Sequence, residues 1–199
     1  MYEKGAVEFS LFPKLAALPE RSGVEQTLHV YHTVGAHAPF FTDRFGRKLS
    51  SPGQGYAGYR EKAYFVLKSL TNLFRELQAR GIYDNSFIVV TSDHGGDYTQ
   101  KDKRMCNGVE FPRAVPYPML MVKPRGNKTP LAFSNVPTSH AKLSTLMSSS
   151  RTRSLAEQEV TSILHEENRF FRYFVSHEMI HYDWKFSPDG SMTCEMIKE

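Results

Sequence analysis

Two short stretches of this chain combine residue types that can bind a cation or hold an oxyanion. The first, Thr91-Ser92-Asp93-His94-Gly95-Gly96, stands at the end of the apolar run 86–91. A carboxylate and an imidazole on consecutive residues of a turning backbone can both reach one divalent cation. Mixed oxygen and nitrogen ligation suits Zn²⁺ or Mn²⁺ better than Ca²⁺. Gly95 and Gly96 let the backbone bend away and leave room for a substrate. By residue type alone, the same six residues also describe a strand-end turn with a solvated Asp and His, and both readings stand at this point. The second stretch is His32-Thr-Val-Gly35-Ala-His37-Ala-Pro39. Its two histidines do not share a helix face, but on a strand-to-loop turn they can converge. Neutral imidazole ligates metals, and protonated imidazole hydrogen-bonds a phosphoryl or sulfuryl oxygen. One core histidine and one surface histidine is the plainer alternative.

Weaker candidates lie elsewhere. His177-Glu178-Met-Ile-His181 matches H-E-x-x-H, which on a helix places two zinc ligands on one face with Glu as base. The surrounding aromatic alternation favours strand or turn, and no third ligand follows at a suitable spacing. The segment is therefore expected not to bind zinc, and a zinc protease is a rival function of lower rank. Lys101, Lys103, Arg104 and Arg113 can meet an anionic head group, but a solvated basic loop is the default. His140, at a predicted helix start, can lie near an anion; a surface residue is again the default.

The elements that must position these residues follow from hydrophobic period and turn residues. Residues 27–34 are β-branched and aromatic and read as a strand that runs into the His32–His37 loop. Residues 42–55 are rich in Gly, Ser, Pro and charge and read as loop. From Tyr56 the period becomes helical, with Tyr59, Ala63, Val66, Leu70, Leu73, Phe74 and Leu77 on one stripe and Gly81 as the terminating glycine. A turn at 83–85 leads into 86–91, an uninterrupted apolar run of the kind a strand buried on both faces needs. Strand, helix and strand make a βαβ unit with a right-handed crossover. A further strand is expected at 118–122, a helix opening at Pro137-Thr-Ser-His140, and a second helix after the capping-box pattern Ser154-Leu-Ala-Glu157. In the tail, 170–175 reads as a strand, and the residues around Ser187-Pro-Asp-Gly190 read as a hairpin.

Composition bounds the function. With 199 residues, 40% of them hydrophobic and 13% aromatic, the chain carries enough apolar surface for a packed core. Its formal charge of +4 is spread along the sequence without a Lys/Arg block, so a nucleic-acid partner is not expected. The mild basic excess suits an anionic ester. Cys106 and Cys194 have no metal-ligand spacing, and pairing or free thiols are equally compatible with them. No stretch approaches the roughly 18 apolar residues of a membrane span.

His32-Thr-Val-Gly-Ala-His37-Ala-Pro-Phe, a long helix, Tyr-Asp-Asn, an apolar strand and Ser-Asp93-His94-Gly together resemble the sulfatase-like branch of the alkaline phosphatase superfamily. The pattern is similar to that of its membrane-anchored phosphoethanolamine and phosphoglycerol transferases, over about residues 27–147. Val136-Pro-Thr-Ser-His140 is similar to the helix start that follows the last site strands in those enzymes. The resemblance implies that Asp93 and His94 ligate a catalytic divalent metal (Zn, Mn or Ca, with Zn or Mn preferred). It implies that His37, with His32 nearby, holds a substrate oxygen or a second metal. A nucleophilic Thr, Ser or modified Cys would attack phosphorus or sulfur. The family's early acidic ligand and nucleophile have no counterpart motif in the 31 residues before His32, and Met105-Cys106-Asn107-Gly108 stands where the transferases place a further histidine.

The expected architecture is therefore α/β: a mostly parallel sheet covered by helices, a partial alkaline phosphatase-like domain over 1–150, with a β-rich extension over 151–199 packing on it. The expected function is metal-dependent hydrolysis or transfer of a sulfuric or phosphoric ester, with this chain as the C-terminal part of the catalytic domain. The upstream part of that domain would be its partner and would bring the nucleophile, leaving the isolated chain inactive. A catalytically inactive binding or structural module of the same fold is the alternative. The resemblance implies an extracytoplasmic setting, with any membrane anchor in a segment outside this sequence.

Overall fold

The computed structural model describes residues 26–96, 98, 103–106, 109–112, 117–166, 169–175, 180–186 and 192–198. The chain divides into two compact units, Met1–Asn85 and Ser86–Glu199.

In the first unit, residues 26–34 lie outside any strand, and Leu28, Val30 and Val34 are exposed. The expected strand at 27–34 is thus not formed. The stretch has β-favouring side chains but forms no strand ladder among the described residues, and a strand exists only by such pairing. The rings of His29 and Tyr31 stack at 6.2 Å, as alternate residues of an extended segment can. The expected loop at 42–55 is a hairpin instead, with strand β1 (Phe40–Thr42) antiparallel to β2 (Lys48–Gly53) and an irregular register between Phe40 and Thr42. Its composition is loop-like because its turn and edge carry the polar residues. The Asp43 carboxylate accepts the backbone N–H groups of Phe45 and Arg47, both at 2.9 Å. Gly46, at φ +83°, donates to the Asp43 carbonyl. Pro52 is tolerated because the strand is an edge.

Helix α1 (Gly55–Ala79) is the helix expected from Tyr56 onward. Leu73 is buried on its inner stripe with Phe65, Val66, Leu70, Phe74 and Leu77 around it. The helix ends in a Schellman motif: Gly81, at φ +69°, donates to the Gln78 carbonyl, and Ile82 donates to that of Leu77.

In the second unit, β3 (Ile88–Thr91) pairs antiparallel with β6 (Leu120–Lys123), from Ile88 opposite Lys123 to Thr91 opposite Leu120. Between them, β4 (Lys103–Cys106) and β5 (Val109–Pro112) form a hairpin. All strand pairings among the described residues are antiparallel. The parallel sheet expected from a βαβ unit needed 27–34 as the neighbour of β3. No strand forms at 27–34, and the described partner of β3 is β6, in antiparallel register. Nor is β3 buried on both faces, since its residues are partly exposed.

A 3₁₀ turn (His140–Lys142) leads into α2 (Leu143–Thr152), with the Ser139 hydroxyl accepting the Ala141 N–H. Helix α3 (Glu157–Leu164) follows the Ser154–Glu157 pattern as expected, but its cap lies two residues further on. Ala156 occupies the cap position and has no side-chain acceptor, so only the returning half of the box forms, from Ala156 N–H to the Glu159 carboxylate at 2.8 Å. Ser154 instead donates to the Arg125 carbonyl at 2.6 Å. Leu146, Leu155, Val160 and Leu164 form the buried core of this unit, with Phe87, Leu120, Val122, Leu143 and Ile163 packed on it. Residues on both sides of position 150 thus share one core.

The tail is a three-stranded antiparallel meander of β7 (Arg169–Val175), β8 (Ile180–Phe186) and β9 (Met192–Lys198). No described helix is long and apolar enough to cross a membrane.

Candidate metal and anion site

Asp93 and His94 sit just beyond the end of β3, where side chains escape the pleat and can turn toward solvent. The strand end is clasped to its neighbour. Ser92 N–H donates to the Met119 carbonyl at 3.0 Å, and Met119 N–H donates back to the Ser92 hydroxyl at 2.8 Å. Beyond this clasp the chain turns, and both side chains project outward, Asp93 with 85% and His94 with 51% of its surface exposed.

The pair is ordered internally. The Asp93 carboxylate accepts the His94 backbone N–H at 2.9 Å. His94 Nδ1 lies 2.6 Å from the Gly95 carbonyl, which can only accept, so Nδ1 carries the proton. The lone pair is thereby left on Nε2, 3.6 Å from the second Asp93 oxygen. Two ligands bound at about 2.0–2.2 Å to a tetrahedral ion stand roughly 3.4 Å apart. The tautomer and the spacing both fit one divalent cation. Gly96 is required beside the pair: a Cβ there would come within 2.3 Å of the Tyr98 ring. Among the described residues, no group of three His, Cys, Asp or Glu side chains forms a closed metal site.

His32 and His37 belong to the first unit, and both are exposed, so neither is a core histidine. Gly35, at φ +57°, lets the chain turn back between them, with His37 N–H donating to the Val34 carbonyl at 3.2 Å. His37 Nδ1 hydrogen-bonds the Ala38 carbonyl, which directs its Nε2 lone pair outward as at His94. The peptide between Ala38 and Pro39 is cis.

The sulfatase family model matches residues 10–149, well over half of the chain and including both histidine-bearing loops. This chain belongs to the sulfatase family. Membership carries the α/β class of that domain and, in general, sulfate-ester chemistry with a divalent metal. No solved structure matches the chain.

Among the weaker candidates, His181 lies in β8, which starts at Ile180, so the end of H-E-x-x-H is strand and not the helix a zincin needs. His177 and Glu178 lie outside the described residues, as do Lys101 and Arg113. Lys103, Arg104, Cys106 and Cys194 are described by backbone alone, within β4 and β9. His140 was undervalued by spacing: its Nε2 lies 2.7 Å from the Thr91 hydroxyl. No local signal joins residues 49 positions apart.

Proposed function

We propose that this sulfatase-family chain supplies the metal- and anion-binding part of an enzyme that hydrolyses or transfers a sulfuric or phosphoric ester. Asp93 and His94 are the proposed ligands of a divalent cation, Zn²⁺ or Mn²⁺ before Ca²⁺. His37 and His32 are the proposed partners of an ester oxygen. The observation that carries the reading is the 3.6 Å separation of His94 Nε2 and the Asp93 carboxylate, with Nδ1 committed to the Gly95 carbonyl. When bound, a cation there supplies Lewis-acid stabilisation of negative charge on the ester. Asp93 contributes the anionic ligand and His94 the neutral one; His37, in its imidazolium form with a proton on Nε2 as well, would donate a hydrogen bond to an oxygen that becomes more negative as the ester bond breaks.

On this reading, the nucleophile and further acidic ligands come from outside the motifs identified in this sequence, from upstream sequence of the same domain. Residues 1–150 are the catalytic-type portion, which a mostly parallel sheet would complete, and 151–199 the extension packed on it. An extracytoplasmic setting, with any anchor in another segment, follows the same reading.

Titration calorimetry of the full chain with Mn²⁺ and Zn²⁺ tests the site. Weak binding is expected, lost in both Asp93→Asn and His94→Ala, because two protein ligands give a site looser than the usual three or four. Binding that survives both substitutions would overturn the assignment. With p-nitrophenyl sulfate and p-nitrophenyl phosphate, no turnover is expected from the chain alone, and turnover is expected when upstream coding sequence is included. Turnover by the chain alone that needs Asp93 and His94 would show that it holds its own nucleophile, and turnover independent of both would remove them from the chemistry.

A further inference from the structure

We propose that His140 is a positioning residue for the Asp93–His94 pair, acting through Thr91; this rests on the metal-site reading above. Three polar atoms surround the Thr91 hydroxyl: the Met119 carbonyl at 3.0 Å, the Ser92 carbonyl at 3.2 Å and His140 Nε2 at 2.7 Å. The hydroxyl has one proton to give. Donated to Met119, the nearer carbonyl, it leaves an oxygen lone pair facing the imidazole. His140 then carries its proton on Nε2 and donates it to Thr91, so the hydroxyl both donates, to Met119, and accepts, from His140.

The consequence lies two residues downstream. Thr91 and Ser92 both hold the Met119 carbonyl, Ser92 by its N–H at 3.0 Å. These bonds set the direction in which the chain leaves β3 and turns at Asp93. His140 holds Thr91 from the other side, and it is itself anchored. It opens the 3₁₀ turn that Ser139 caps and that continues into α2, whose Leu143 and Leu146 belong to the packed core. The exposed ligand pair is in this way tied to the packed core of its unit. A side chain that fixes a ligand's backbone at a distance acts as an outer partner of the metal, and such partners cost affinity when removed.

Three measurements on the full chain test this. In His140→Leu, amide exchange at 91–95 is expected to accelerate while exchange in α2 and α3 stays unchanged. Mn²⁺ affinity is expected to fall about ten-fold. His140→Gln, whose amide can donate from the same place, is expected to restore both. In the double-mutant cycle with Thr91→Val, the affinity losses should be less than additive, because either change breaks the same link. Nitrogen-15 shifts of His140 in the wild type should report a proton on Nε2.

Unchanged exchange at 91–95 in His140→Leu would overturn the proposal whatever the metal does. Faster exchange with unchanged Mn²⁺ affinity would overturn the positioning role and leave the ligand assignment intact. General destabilisation that His140→Gln does not rescue would make His140 a fold residue only. If Asp93→Asn leaves Mn²⁺ binding untouched, the site reading itself fails, and the positioning role fails with it.

Discussion

Gly53 and Gly58 meet where β2 gives way to α1, and neither has room for a side chain. A Cβ on Gly58 would lie 2.6 Å from the Gly53 carbonyl carbon and 2.8 Å from the Phe40 ring, which is itself buried. Backbone cannot retreat as a flexible side chain can, so Gly58→Ala must push the hairpin off the helix. Overpacking of this kind costs about 1–3 kcal/mol, and each kcal/mol lowers the melting midpoint by about 2–4 °C in a chain of this size. Thermal melting of the variant by circular dichroism reads the shift directly. An unchanged midpoint would mean that the hairpin and the helix are not held together at this point. At the same scale, the candidate site residues were legible from type, and Asp93, His94, His32 and His37 are all exposed. Their partners were not. The Thr91 link to His140 and the Ser92 clasp on Met119 join residues far apart in sequence, where no spacing rule applies.

The β1–β2 hairpin is held by charge as well as by strand pairing. Burial pushes the Asp43 carboxyl up, but hydrogen bonds from the backbone and side chain of Arg47 and from Phe45 N–H outweigh it, and the group sits below its ordinary range. Glu61 on α1 is likewise held low, first by its hydrogen bonds from the Arg44 side chain and then by that residue's backbone and charge. Both shifts have the same sign in stability. The folded chain binds fewer protons than the unfolded chain, so the stabilisation is complete above the unfolded carboxylate range near about pH 4. It is lost as pH falls through the lower, folded-state values. Amide protection across 40–53 is therefore expected to weaken on acidification below that range. The double variant Asp43→Asn, Glu61→Gln should be weaker at neutral pH and flatter with pH; an equally steep profile in the variant would assign the acid loss to other groups. This element was misread as loop because Gly, Ser and Pro signal turns without saying whether the flanking residues pair.

Among the described residues, full burial of large apolar side chains is confined to few places. Leu146 is the one large side chain fully enclosed among the described residues, and Leu155, Val160 and Leu164 complete its cluster. Leu146→Ala removes buried volume that surrounding helices can only partly refill, and should cost about 2–5 kcal/mol. With a urea dependence of about 1–3 kcal/mol per molar, the midpoint of the Ser86–Glu199 unit should fall by at least about 0.7 M. Far-ultraviolet circular dichroism in urea checks this. A shift within error would mean that the cluster is not the core of that unit.

Local periodicity determined α1 from its stripe and its Gly81 stop, the turn at 83–85, strands β3, β6 and β7, the helix after Ser139 and the tail hairpin. The helices and turns among these are settled by contacts within a few residues, and the strands at least show their side-chain pattern there, so the sequence displays them. The motifs at His32–His37 and Asp93–His94 were legible for the same reason, since backbone turns and adjacent side chains are local, and the sulfatase-family match agrees with the resemblance they carry. Pairing is not local. Residues 27–34 have the side chains of a strand and form no ladder among the described residues, while 48–53 have the composition of a loop and a strand partner in β1. Strand direction was decided in the same way, when β3 took β6 in antiparallel register. Half of every ladder bond belongs to a residue distant in sequence. For that reason only the tertiary structure could decide which strands exist, which way they run, and that His140 stands against the end of the strand leading to Asp93 and His94.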